Sequence, residues 1–133
     1  MKKEYSLEYF SKLKWSLVVI KKDKIIYKSR MRRLKPLIFC IKKLGKDLRG
    51  AVVFDRTVGQ ASAILLKFAG INKVLAPTVS KAGKKFLEKN KIKLEYFEEV
   101  KFIAGRSNDE VCPMEKMSQE LGEKAFIKRI LDR

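Results

Sequence analysis

No histidine occurs among the 133 residues. That absence removes an imidazole general base, a Ser/His or Cys/His nucleophile, and the commonest zinc ligand. Cysteine is nearly as scarce: Cys40 and Cys112 stand alone with no Cys-x-x-Cys spacing, which indicates neither a disulfide framework nor a clustered thiolate site. No metal and no cofactor are therefore expected. No apolar run approaches the roughly 18 residues that a membrane span requires. The N-terminal MKKEYSLEYFSKLK has no continuous apolar core of the signal-peptide kind. Together these point to a cytoplasmic protein without a membrane partner.

Acidic residues are also few, 15 Asp and Glu against 32 Lys and Arg, for a net charge of +17. The excess is uneven: residues 1–49 hold 16 cations and 4 acids, net +12, whereas residues 50–133 hold 16 and 11, net +5. A field of this sign draws nucleic acid or small anions, although lysines scattered singly do no more than keep a surface soluble. With 46% hydrophobic residues the chain can bury one core and is too short for two, so residues 1–133 are expected to form a single domain. No repeat, linker or low-complexity stretch interrupts it.

The stretch VVFDRTVGQASAILLKFA, Val52 to Ala69, organises the rest. A β-branched run stops at Asp55, a polar turn follows, and an almost uncharged helix is predicted from about Val58 to Ala69, before Gly70. Lys67 is its one charge. A helix apolar all round lies under other elements or at a subunit interface, so a homodimer is one expectation. A strand feeding such a helix is where open α/β sheets place ligands, because the first helical N–H groups lack partners.

Ahead of this stretch, Tyr5, Tyr9, Phe10 and Leu13 share a helical face over residues 4–13. Residues 15–20 and 25–27 read as a hairpin about Lys22-Asp23-Lys24, and Pro36 opens a helix that Gly45 ends. Arg30, Arg32, Arg33 and Lys35 crowd that helix start. Cations are unfavourable there unless an anion sits among them. Beyond Gly70, residues 73–78 form a buried strand, Ser80 caps a helix over 81–89, and Leu94, Tyr96 and Phe97 lie on a further strand parallel to its predecessors. Residues 101–104 are extended and 105–109 form a polar loop. Pro113 then opens a C-terminal helix with Glu115 in its first turn and Gly122 as a break. Its apolar face is Met114, Met117, Leu121, Ala125, Ile127, Ile130 and Leu131. Cys112-Pro113-Met114-Glu115 fits a capping role; a thiol beside a helix start can also be acidified.

The stretches Ser16–Ser29 (SLVVIKKDKIIYKS), Lys35–Leu37 (KPL), Asp55–Ala63 (DRTVGQASA), Leu75–Gly83 (LAPTVSKAG) and Cys112–Glu115 (CPME) resemble a small prokaryotic family, a domain of unknown function with a cytidine-deaminase-like fold. The resemblance covers most of the chain in sequential order. It implies an α/β/α three-layer sandwich with a mixed five-stranded sheet, order 2-1-3-4-5, and an added C-terminal helix. Zinc deaminases of this fold start one helix with His-x-Glu and the next with Pro-Cys-x-x-Cys. Residues 33–37 and 57–62 hold those places here and offer no zinc ligand, so zinc-dependent deamination is not expected.

What remains is a cleft between two helix starts, with Lys35 and Pro36 at one and Asp55, Arg56, Thr57, Val58, Gly59 and Gln60 at the other, and Cys112 and Glu115 nearby. The leading expectation is a small anionic or nucleotide-like ligand held by backbone amides, Lys35 and Arg56. The alternative is a nucleic-acid-binding module using the basic first third. A third reading is a metal-free enzyme with Cys112 as nucleophile and Asp55 or Glu115 as acid or base.

Overall fold

In the computed structural model, which describes residues 5–104 and 111–132, Ser6 caps helix α1 (Leu7–Ser11) by accepting the Tyr9 N–H at 3.1 Å. The helix is shorter than the predicted 4–13, and it buries Leu7 and Phe10 while Tyr9 stays exposed. The hairpin forms as expected. Strands β1 (Leu17–Lys21) and β2 (Lys24–Ser29) pair antiparallel, and both turn residues, Lys22 and Asp23, adopt left-handed φ (52° and 62°), the geometry that matches the twist of paired strands. Helix α2 (Lys35–Leu44) follows, with Pro36 in its first turn and Gly45 at its end.

Strand β3 (Val52–Asp55) is central: β1 lies antiparallel on one side and β5 (Lys73–Ser80) parallel on the other. After Arg56 the chain returns to β5 as a two-residue strand, β4 (Thr57–Val58), before helix α3 (Gln60–Phe68) starts. Val58 is thus a strand residue and the helix begins two positions later than its apolar run suggests. Ser80 caps α4 (Lys81–Lys89), accepting the Gly83 N–H at 2.9 Å, and β6 (Lys93–Val100) pairs parallel with β5. The sheet therefore has six strands rather than five, running β2-β1-β3-β5 with β4 and β6 both on β5. The extra strand is the far half of an interrupted third strand. Its relation to the anticipated order is close, since the class is a mixed open α/β sheet with helices on both sides.

Packing explains the pattern. In β1 all four residues from Leu17 to Ile20 are buried, because Leu17 and Val19 face one cluster and Val18 and Ile20 the other. Helix α1 and its flanks cover the second cluster, Leu7 and Phe10 meeting Phe54 and Leu75 while Tyr5, Leu13 and Trp15 pack beside them. On the first face α3 lies beneath α2, α4, and the C-terminal pair α5 (Pro113–Leu121) and α6 (Glu123–Leu131), so every residue from Ala61 to Leu66 is buried. Phe68, at the end of α3, stays 53% exposed. Gly122, at φ 79°, separates α5 from α6 as the sequence suggests. The break rotates the apolar face, so that Phe126 and Ile130 enter the core while Leu121 and Ala125 are exposed. Ala104 bridges to Val111. The predicted loop at 105–109 lies outside the described residues.

Candidate functional site

Asp55 ends β3 at the carboxyl edge of the parallel strands, the edge at which open sheets bind ligands. A cleft of about 360 Å³ opens there, within the size range of small-molecule sites. Its polar walls are Ser16, Arg32, Arg33, Asp55, Thr57 and Ser62, while Leu34, Ile103, Ala104 and Met114 supply apolar surface.

The arginines reach the cleft because the segment after β2 is tied down. Ser16 donates its hydroxyl to Ser29 O at 2.9 Å and also to Met31 O, and the Met31 N–H donates to Ser29 Oγ at 3.1 Å. Lys28 Nζ and Arg30 Cζ each lie 4.7 Å from the Trp15 ring centre, adding cation–π contact to the same strap. Arg33 then takes a left-handed φ of 63°, uncommon for a side-chain-bearing residue. Its Nη1 donates to Cys112 Sγ at 3.7 Å.

Asp55 is 8% exposed, and its carboxyl accepts the Thr57 N–H. Burial pushes its pKa up to about 8, and that one hydrogen bond opposes the shift without reversing it. Burial thus favours the neutral acid, which donates one hydrogen bond and keeps acceptor positions.

Two residues with the chemistry of a ligand site serve the scaffold. Arg56 turns its guanidinium away to carbonyls at and just beyond the end of α1, donating to Phe10 O and Ser11 O at 3.4 Å, Leu13 O at 2.7 Å and Trp15 O at 2.8 Å. A cation there complements the negative end of the helix. Glu115 is 4% exposed and accepts the first N–H groups of α3, Gln60 N on Oε2 at 2.9 Å and Ala61 N on Oε1 at 2.7 Å. Burial raises its pKa, opposed by these two bonds. Thus Glu115 caps a different helix from the one that its first-turn position suggests. The amides expected to receive an anionic ligand are already occupied by a carboxylate of the same chain.

Glycine makes this possible. A Cβ on Gly59 would fall 2.5 Å from both Glu115 carboxylate oxygens, and one on Gly83 of α4 would fall 2.8 Å from the Gly59 carbonyl carbon. Strand end, α3, α4 and α5 consequently meet through two bare backbones.

Of the sequence-predicted site residues, Asp55, Arg56, Thr57, Gly59, Cys112 and Glu115 line the cleft. Lys35, Pro36, Val58 and Gln60 lie outside its lining: Lys35 is exposed, Pro36 and Val58 are buried, and Gln60 contributes its backbone to the Glu115 cap. Arg32, Arg33, Ser16 and Ser62 are added by the fold. The arginines were visible in the sequence as misplaced charge at a helix start; Ser16 and Ser62 carried no distinguishing signal. Cys112 is 7% exposed in the cleft wall, whereas Cys40 lies wholly in the core, where burial pushes its thiol up to about 12.

For a tetrahedral zinc site the donor set does not fit. The chain lacks histidine, and among the described residues no group of three Cys, Asp or Glu side chains is placed to hold a metal ion. No helix among the described residues is long and apolar enough to cross a membrane.

Sheet, strap and cleft define a small α/β protein with a mixed open sheet and a polar cleft at the carboxyl edge of its parallel strands. The chain belongs to the family described as a domain of unknown function, DUF1893, whose model matches residues 6–133. A solved relative is the DUF1893 family protein TM1506 from Thermotoga maritima. It is 27% identical, with a TM-score of 0.79, and the match covers 95% of this chain and 82% of that one. No curated protein matches.

Proposed function

We propose that this protein binds a small anionic, nucleotide-like ligand in the cleft, in the place that a cytidine-deaminase-like fold uses for its substrate, without zinc-dependent deamination. The observation that carries this reading is the anchored strap, which holds Arg32 and Arg33 in the wall of the cleft that Asp55 also lines. Guanidinium groups suit phosphate or carboxylate because their planar donors match two oxygens at once. Since Glu115 occupies the α3 amides, anion recognition falls on these arginines rather than on the helix start.

A thermal-shift series of nucleosides, nucleotides and phosphosugars tests the reading. At a hundredfold excess over Kd a ligand adds about 2.7 kcal/mol of stability. Phosphorylated compounds are expected to stabilise the wild type, and the Arg32→Ala/Arg33→Ala variant is expected to lose at least tenfold in affinity. A flat response across the series removes the proposal.

A nucleic-acid module on the basic third is the second reading: Trp15 lies against Lys28 and Arg30 and Phe10 is fully buried against Phe54, whereas Tyr9 and Phe39 keep exposed rings of the kind on which bases stack.

A further inference from the structure

Asp55 is a buried carboxyl in a cleft lined by Arg32, Arg33 and Arg56, yet among the described residues none of these cations pairs with it. Arg56, next in sequence, spends its guanidinium on the carbonyls of Leu13 and Trp15. Arg33 donates to Cys112 Sγ. Among the described residues the one hydrogen bond on the Asp55 carboxyl comes from the Thr57 backbone, which leaves acceptor positions of this more than nine-tenths buried side chain open to the cleft. Buried acids are ordinarily paired, because an unpaired charge is costly to desolvate. The other charged groups lining the cleft are Arg32, Arg33, Arg56 and Glu115, and Glu115 is held by the α3 amides.

We propose that the ligand is amphoteric: a small molecule whose ammonium group pairs with Asp55 while its anionic group meets Arg32 and Arg33. The inference rests on the anion-binding reading of the cleft and adds the second pole. An ammonium is the natural complement of a buried carboxyl with open acceptor positions, since it delivers several donors and the missing positive charge together. Before binding, the Asp55 proton compensates for the missing cation; on binding, the ammonium displaces that proton into solvent.

Matched probes separate the two poles. Binding of 2-aminoethyl phosphate is compared with ethyl phosphate, and β-alanine with propionate, by titration calorimetry at pH 7 in two buffers of different ionisation enthalpy. The amino member of each pair is expected to bind at least tenfold tighter, with net release of up to one proton. In Asp55→Asn, which keeps the shape and the acceptor for Thr57, that preference is expected to fall below about threefold and the proton release to vanish. Equal affinity of amino and des-amino partners in the wild type overturns the amphoteric assignment and leaves the anion site standing. No binding of any of the four overturns both. The wild-type comparison does not depend on how well the variant folds.

Discussion

At the scale of single residues, Asp55 makes the sharpest prediction. Its folded pKa, about 8, lies above its ordinary value of 3.8, so between these limits the folded state holds a proton that the unfolded state gives up. The stability contributed by that proton is complete below about pH 4 and is lost as pH rises through about 8. Asp55→Asn removes the dependence. The variant is expected to match wild type near pH 4 and to exceed it by at least about 1 kcal/mol at pH 8.5, read from urea midpoints across the range. An unchanged difference at every pH would show that Asp55 is ionised in the fold. The cysteines give a second test: Cys112 in the cleft wall is expected to react with a small alkylating agent in the native protein, and Cys40 only on unfolding. Simultaneous labelling of both in native buffer contradicts this placement.

Residue type was legible in the sequence, but partner choice was not. Arg56 and Glu115 both read as ligand contacts because an arginine and an acid stand beside predicted helix starts. In the fold each is claimed by backbone groups from a distant segment, Leu13 and Trp15 for one and Gln60 and Ala61 for the other. Local spacing carries no information about contacts of that sequence separation.

At the scale of elements, the junction of α3, α4 and α5 is set by Gly59, Gly83 and Glu115. Because a Cβ at Gly59 would meet the Glu115 carboxylate, Gly59→Ala forces either the cap or α5 to move. The expected cost is about 2–3 kcal/mol, and Glu115→Ala, which strands two helix-start donors, is expected to cost about 1–3 kcal/mol. The two losses should not add. In the Glu115→Ala background Gly59→Ala no longer collides with the carboxylate, so its cost is expected to fall by at least about 1 kcal/mol in a double-mutant cycle. Additive losses would mean that the crowding at Gly59 comes from Gly83 alone. Strand and helix identities were legible here because apolar period and punctuation agree: Lys22-Asp23 turns, Gly45 stops a helix, and Ser80 caps one. The α3 start was misplaced because Thr57 and Val58 are too few to show a strand period, and pairing with β5 decides their state. The C-terminal apolar face was legible in Met114, Met117, Ile127, Ile130 and Leu131, which pack on the core, and failed at Leu121 and Ala125, which are exposed, and at the buried Phe126, about the break where Gly122 takes a positive φ.

For the whole molecule the governing quantity is charge. The three described ion pairs that link elements, Lys67 with Glu123, Lys73 with Glu95, and Lys84 with Glu99, all lie after residue 50, so the net +12 of the first 49 residues is left largely uncompensated. Such a surface is expected to attract polyanions without selecting among them. Its affinity comes from counterion release, which predicts Kd values of about 10⁻⁴ to 10⁻⁶ M at physiological salt and a steep weakening as salt rises. A recognition module would add base stacking or groove contacts that tolerate salt; the covered Trp15 and buried Phe10 supply no stacking face, and the exposed rings of this third are Tyr9 and Phe39. Titration of tRNA and of duplex DNA at 50 and 200 mM NaCl is therefore expected to give similar affinities for both, falling together by tenfold or more. Arg32→Ala/Arg33→Ala should reduce the salt slope by no more than about two, because those cations are two among many in this third of the chain. A marked preference for one nucleic acid, retained at 200 mM NaCl, would move the function from the cleft to the basic surface. The same double substitution then separates scales: it is expected to weaken binding of a small anion in the cleft at least tenfold while only trimming attraction spread over the whole face.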